Sequence, residues 1–268
     1  MDAAGRLDFA SPDADPRFSA AEVWTRGPGR MFGVLVGRDR GDGRPVTLRA
    51  FSGQLAGSWR VPGWVGPVAG LTHESAAYAE YRGRIEALSE RLRRGDDVKR
   101  ERRALSHELI AQVQGSYRTW AADGTPLGLR EVFVGHCRAR GVEPPALGRG
   151  PGRVPAFPAG TGDCCAPKLL HAAARGGVEP AGLVEFWYGA PPSANTPQGD
   201  AAKAAREARG EGGGGGRPGR RRARRRRGRP GWMDVAEGAG GEEARAHKSL
   251  YGPCPKCRAI LGSMLHGV

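Results

Sequence analysis

Two short stretches concentrate the side chains able to do chemistry. Gly162-Asp-Cys-Cys-Ala-Pro-Lys-Leu-Leu170 carries Cys164 and Cys165, and Gly252-Pro-Cys-Pro-Lys-Cys257 carries Cys254 and Cys257. Four of the five cysteines in the chain stand there. Zinc takes sulfur and nitrogen ligands in a tetrahedral shell, and C-x-x-C at a helix start is a common way to supply two of them. Cys164 also opens a predicted helix, where the amide dipoles favour a thiolate. Folding is therefore expected to join Cys164, Cys254 and Cys257 around a metal ion, Zn2+. Cys165, His171 and His247 are the candidates for a fourth, structural ligand. The rival use of C-x-x-C is a redox dithiol. That motif should lie between a strand and a helix in an α/β domain that continues afterward, whereas here the sequence runs only to Val268. An odd number of cysteines argues against a secreted disulfide framework and for a reducing, intracellular, cytoplasmic setting.

A metal that activates water needs a neighbouring group to carry the proton. Asp163, beside the first cysteines, and Glu185, in an otherwise apolar run, are the candidate catalytic carboxylates. The second kind of chemistry is electrostatic. The chain has a formal net charge of +14, and nine arginines fall between Arg217 and Arg229; removing nine from +14 leaves +5. The block Arg220, Arg221, Arg222, Arg224, Arg225, Arg226 and Arg227, together with Lys168, is the expected phosphate-binding set, with RNA as the partner. In a eukaryotic cell such a block also serves as a nuclear localisation signal, and an organellar setting is a further eukaryotic alternative. No run of eighteen apolar residues occurs, so no membrane span is expected.

These groups must be positioned by the elements around them. Met31–Gly37 and Val46–Ser52 flank turn chemistry at 38–43 and predict a β-hairpin. Tyr78, Tyr81, Ile85, Leu88 and Leu92 recur at helical spacing, as do Leu105, Leu109, Val113, Tyr117 and Trp120. With Gly95-Asp96 between them, they predict a helical hairpin of about 78–92 and 98–121, its stripes packed on the core and its tip rich in arginine. A short helix is expected over 127–133 and a loop over 141–162. The helix after Cys164 should stop at Gly176-Gly177, followed by a buried strand, Leu183–Tyr188, and a last helix from Cys254 to Leu265. The first thirty residues read as poorly ordered, with one short helix near 19–24. Residues 191–245 have no apolar periodicity and read as a disordered Gly/Arg-rich insertion. The expectation is thus an α/β (α+β) fold in one domain, 31–190 plus 246–268.

A cysteine on a helix, a strand, then P-C-x-x-C on a second helix resembles the ligand layout of zinc-dependent nucleoside and nucleobase deaminases. The resemblance implies a deaminase-like small sheet carrying the β-hairpin and metal-bearing helices. It also implies a glutamate two residues after the first ligand; here Ala166 and Pro167 stand two after Cys164 and Cys165. A closed or idle metal site is favoured over an active deaminase, which would need Asp163 or Glu185 as an unusual proton shuttle.

Met31-Phe-Gly-Val-Leu-Val, Leu48-Arg-Ala-Phe-Ser-Gly53, Val61-Pro-Gly-Trp-Val-Gly-Pro-Val68, the stretch 162–170, Glu185-Phe-Trp-Tyr-Gly189 and Cys254-Pro-Lys-Cys-Arg-Ala-Ile-Leu-Gly-Ser-Met-Leu265 follow in order. Together they resemble the N-terminal accessory region of some RluA-family RNA pseudouridine synthases. That resemblance implies a role in RNA modification beside a synthase domain encoded separately or downstream. The H-R-L-D-type catalytic motif of such synthases does not occur in this sequence.

Overall fold

Arg30–Asp39 (β1) and Pro45–Phe51 (β2) form the predicted hairpin, with Leu35 opposite Leu48 and Val36 opposite Thr47. Its turn is fixed by Asp39, whose Oδ1 accepts the Gly41 amide at 2.8 Å, and by Gly43 in the left-handed region at φ 72°. In the computed structural model, residues 5–25, 29–68, 70, 75–147, 153–190, 248 and 250–266 are described.

The remaining elements of the described residues, in chain order, are a 3-10 turn, Pro16–Phe18; a helical turn, Glu22–Thr25 (α1); two long helices, Ala76–Arg93 (α2) and Lys99–Ser116 (α3); a hairpin of Arg118–Trp120 (β3) and Pro126–Gly128 (β4); a helix, Leu129–Ala139 (α4); a pair of two-residue strands, Ala146–Leu147 (β5) and Val154–Pro155 (β6); the helix Cys165–Arg175 (α5); the strand Val178–Tyr188 (β7); a short strand, Leu250–Tyr251 (β8); and the helix Pro255–His266 (α6). The class is α+β. The main sheet has the order β2-β1-β7-β8, and its named pairs are all antiparallel.

Strand alternation sorts the sheet into two faces. Met31, Leu35, Val46, Leu48 and Ala50 face the core built with α4, α5 and α6, where Leu129, Phe133, Leu169, Ile260 and Met264 are buried. Phe32, Phe51, Phe186 and Tyr188 line the opposite face. The helix α5 is buried nearly all round, from Cys165 through His171, which is the pattern of a central helix. It sits close on the sheet because Gly33 leaves room: a Cβ there would lie 2.6 Å from Cys165 Cβ.

The structure corrects several boundaries. The second hairpin helix ends at Ser116; Tyr117 is already extended, and Asp123-Gly124 turns the chain into β3–β4. Trp120 therefore lies on a strand. The next helix begins at Leu129 and runs to Ala139, because Leu127 pairs in β4. Strand β7 starts at Val178, before the expected Leu183. Pro180 and Gly182 disguise it, and both flank an irregularity in the pairing with β1, where a proline is tolerated. The loop 141–162 contains β5 and β6. The α2–α3 hairpin packs largely on itself through Leu88, Val98 and Leu105, with Tyr81 and Ile85 against them, and Leu92 is 38% exposed. Near the N-terminus, Leu7, Phe18 and Val23 are buried against the aromatic sheet face; isolated apolar residues in a polar, proline-rich segment give no periodic signal of this.

Candidate metal centre

Cys164 occupies the N-cap position of α5 in extended conformation, φ −75° and ψ 169°, and makes no side-chain capping bond. Cys254 stands at the equivalent place before α6, its carbonyl accepting the Cys257 and Arg258 amides, both at 3.0 Å. The α5 and α6 helices are neighbours, so two helix N-termini, each a positive dipole end, present sulfur to one point. Cys164 Sγ and Cys254 Sγ are 3.3 Å apart. With Cys257 they form a group whose ligand atoms all lie within 4.8 Å of one another, close enough to hold a metal ion together.

The surrounding backbone supports the sulfurs. Gly162, at φ 88°, turns the chain ahead of α5, and its amide faces Cys257 and favours the thiolate. A Cβ at Gly162 would also meet Leu129 Cδ2 at 2.9 Å. Lys256 Nζ donates to the Ala159 carbonyl at 2.8 Å, tying α6 to the approach loop. The three sulfurs hydrogen-bond to one another. Hydrogen bonds from Cys164 and Cys257 hold Cys254 far below the usual thiol range, while the bond to Cys254 pushes Cys164 well above it. Cys257 is pushed up to about 12: its hydrogen bond with Cys164 acts downward, but its hydrogen bond to Cys254 and its burial prevail.

Glu185 lies on β7 opposite Gly33, on the sheet face that carries α5. It is only 4% exposed, and its Oε1 accepts the Ala166 amide at 3.0 Å. It thus supplies from a neighbouring strand the oxygen that a capping side chain at position 164 would have given. Burial pushes this carboxyl up to about 7; the Ala166 amide opposes the shift, and the charge on Cys254 reinforces it.

Among the described residues, the clustered donors are Cys164, Cys254 and Cys257. Cys165 is not with them: its thiol is buried against the sheet and donates to the Met31 carbonyl at 3.3 Å. Adjacent residues at a helix start diverge in direction, so one cysteine meets α6 and the other the sheet. His171 is not with them either. It is buried on α5 with Nδ1 lacking a hydrogen-bond partner, and desolvation lowers its pKa to about 4. The Asp163 carboxylate accepts the Tyr117 hydroxyl at 3.4 Å. Of the two candidate carboxylates, Glu185 is the one fixed on the first amides of α5.

Lys168 cannot serve as a phosphate contact. It is fully buried; its Nζ donates to the Phe51 and Gly53 carbonyls, both at 2.9 Å, and stands over the rings of Phe51 and Trp59. It closes the end of β2 onto α5. His247 and the arginines 220–227 lie outside the described residues. Gln114 and Gly33 escaped the sequence reading: Gln114 bonds both the carbonyl and the amide of Phe157, fixing the loop that leads into the site. The one available signal was a glutamine interrupting an apolar helical stripe. Among the described residues, no helix is long and apolar enough to cross a membrane. No family model matches the chain, and no curated protein and no solved structure matches it significantly.

Proposed function

We propose that this chain is a zinc-binding module that works with RNA beside an RNA-modifying enzyme. The observation that carries the metal reading is the convergence of Cys164, Cys254 and Cys257 from two helix N-termini. Three sulfur donors at tetrahedral-compatible separation suit Zn2+ better than the oxygen-seeking Mg2+ or Ca2+. The buried, free cysteines accord with an intracellular, reducing setting. The RNA reading is supported by the motif resemblance to pseudouridine synthase accessory regions and by the arginine block of 220–227. With no H-R-L-D-type motif in the sequence, base isomerisation would fall to a separate synthase domain.

The test is metal analysis and RNA titration on the purified chain. A single zinc ion should be retained, and Cys254→Ser should lose it. RNA affinity should fall steeply with salt and weaken when the arginines of 217–229 are replaced by serine. Protein that purifies without zinc, and takes none up, rejects the metal reading. RNA affinity indifferent to the arginines rejects the proposed phosphate contact.

A further inference from the structure

The five cysteines are not equally open to oxidation. All are free; Cys137, Cys165 and Cys257 are buried, and only Cys164 and Cys254 are half-buried. Those two are also a pair in contact, their Sγ atoms 3.3 Å apart across 90 residues of sequence. Each stands just outside its helix. Cys164 is the N-cap of α5, extended and with no side-chain capping bond to lose, and Cys254 precedes Pro255, the first residue of α6. Side-chain rotation can therefore close the sulfurs from 3.3 Å to the about 2.05 Å of a disulfide without unwinding a helical turn. The neighbouring thiols are less available. Cys257 is fully buried inside α6, and Cys165 lies inside α5 with its thiol on the Met31 carbonyl.

We infer that a peroxide oxidises Cys164 and Cys254 to a disulfide that staples the start of α5 to the start of α6, and that this bond and a bound metal exclude each other. The step balances with hydrogen peroxide. One sulfur takes an OH group, and its thiol proton leaves with the other OH as water. The second sulfur then displaces that OH, which leaves with the second thiol proton as another water, and the S–S bond forms. The sulfurs lose two electrons and the peroxide gains them. A small thiol returns the pair to the reduced state by exchange. In a reducing compartment the thiols are the resting state, so the bond is a response to oxidant and not a permanent staple. A disulfide sulfur is no longer a thiolate ligand, and Cys257 alone does not retain zinc. The pairing differs from that of a C-x-x-C dithiol, which would join Cys254 to Cys257. The disulfide stands on the sulfur geometry; only the loss of zinc rests on the metal reading above.

The test is peptide mapping of the full chain, zinc-loaded and stripped of metal, after treatment with hydrogen peroxide and blocking of the remaining thiols. Trypsin cuts after Arg153, Lys168, Lys248 and Lys256, which places Cys164 in peptide 154–168, Cys254 in 249–256 and Cys257 in 257–258. The linkage of 154–168 to 249–256 should exceed that of 249–256 to 257–258 by at least about tenfold and should vanish on reduction. It should persist in Cys165→Ala, which removes the other thiol of 154–168. In guanidinium chloride the preference should reverse, because the fold no longer holds the distant pair together. The zinc-loaded chain should release its ion to a chromophoric chelator in step with the linkage. A dominant linkage of 249–256 to 257–258 in the folded chain overturns the proposal, as does thiol oxidation with no linkage. Loss of the linkage in Cys165→Ala assigns the bond to Cys165 and overturns it too, and zinc retained by the disulfide form overturns the exclusion. A chain that takes up no zinc defeats the metal reading alone, because the linkage is still scored on the stripped sample.

Discussion

In the α2–α3 hairpin, Arg82 pairs with Glu86, Arg91 with Asp96 and Arg93 with Glu90, and every one of these side chains is at least 46% exposed. At the start of α5, Asp163, Cys165, Lys168, His171, Glu185 and the three clustered cysteines are all buried or half-buried. Both regions are dense in charge on paper. In the hairpin, water solvates each charge, so pairing changes little. Around α5, burial leaves each group dependent on a particular partner: Lys168 on two carbonyls and Glu185 on an amide. Charge taken out of water is costly unless something fixed compensates it. The contrast sets the α5 corner apart as the place where ionisable groups are held by fixed partners. It also reads the hairpin as a largely self-packed appendage whose paired charges face water.

The sharpest way to break this comparison is Lys168→Ala. It empties a fully buried volume and strands the carbonyls of Phe51 and Gly53. Denaturant unfolding should show a loss of about 3–5 kcal/mol. A loss under about 1 kcal/mol would mean that the burial of Lys168 is not structural, and the contrast with the hairpin would fail at its strongest point.

His171 offers a second, smaller test, read through pH. It is neutral in the fold, its pKa lowered from 6.5 to about 4 by desolvation first and by Arg175 second. A base with a lowered folded pKa contributes stability that is whole above pH 6.5 and lost as pH falls toward 4. Glu185 acts with the opposite sign: its raised pKa favours the fold at low pH, and that contribution is lost as pH rises through about 7. The two trends overlap, so the quantity to measure is the difference between wild type and His171→Leu. The wild type should lose about 1–3 kcal/mol more than the variant between pH 6.5 and 4. Parallel pH profiles for the two proteins would show that His171 is solvated.

Much of this corner was legible from spacing. Cys254-x-x-Cys257 and the helix-opening Cys164 point to a cluster able to hold a metal ion, because ligand geometry imposes local spacing. The turn at Asp39–Gly43 and the stop at Gly176-Gly177 are local for the same reason. Lys168 was misread because its partners, Phe51 and Gly53, lie more than a hundred residues away. A lysine in sequence looks solvated unless the fold supplies acceptors. The pairing of Glu185 with Ala166 depends on the β1–β7 register and on the close approach at Gly33, neither of which leaves a periodic trace. Cys165 shows the converse limit. Residue type made it a ligand candidate, and the direction of one side chain at a helix start turned it into a buried thiol on the Met31 carbonyl.

The smallest effect should come from the hairpin, and its smallness is the point. Arg91 Nε lies 3.0 Å from Asp96 Oδ2, closing the turn between α2 and α3, with both side chains 46% exposed. On distance alone this pair rivals the contacts of Lys168. Its desolvation is partial, and holding two mobile side chains together costs entropy that offsets much of the attraction. A double-mutant cycle of Arg91→Ala and Asp96→Ala should give a coupling of about 0.2–0.5 kcal/mol, falling further in high salt. Because Asp96 lies at the turn, the single variants report turn geometry as well; the cycle removes that contribution and leaves the ion pair. A coupling above about 2 kcal/mol, insensitive to salt, would show that the hairpin tip is preorganised in the same sense as the α5 corner. The arginines there would then have to be weighed as a built anion site, and burial would lose its standing as the feature that separates the two regions.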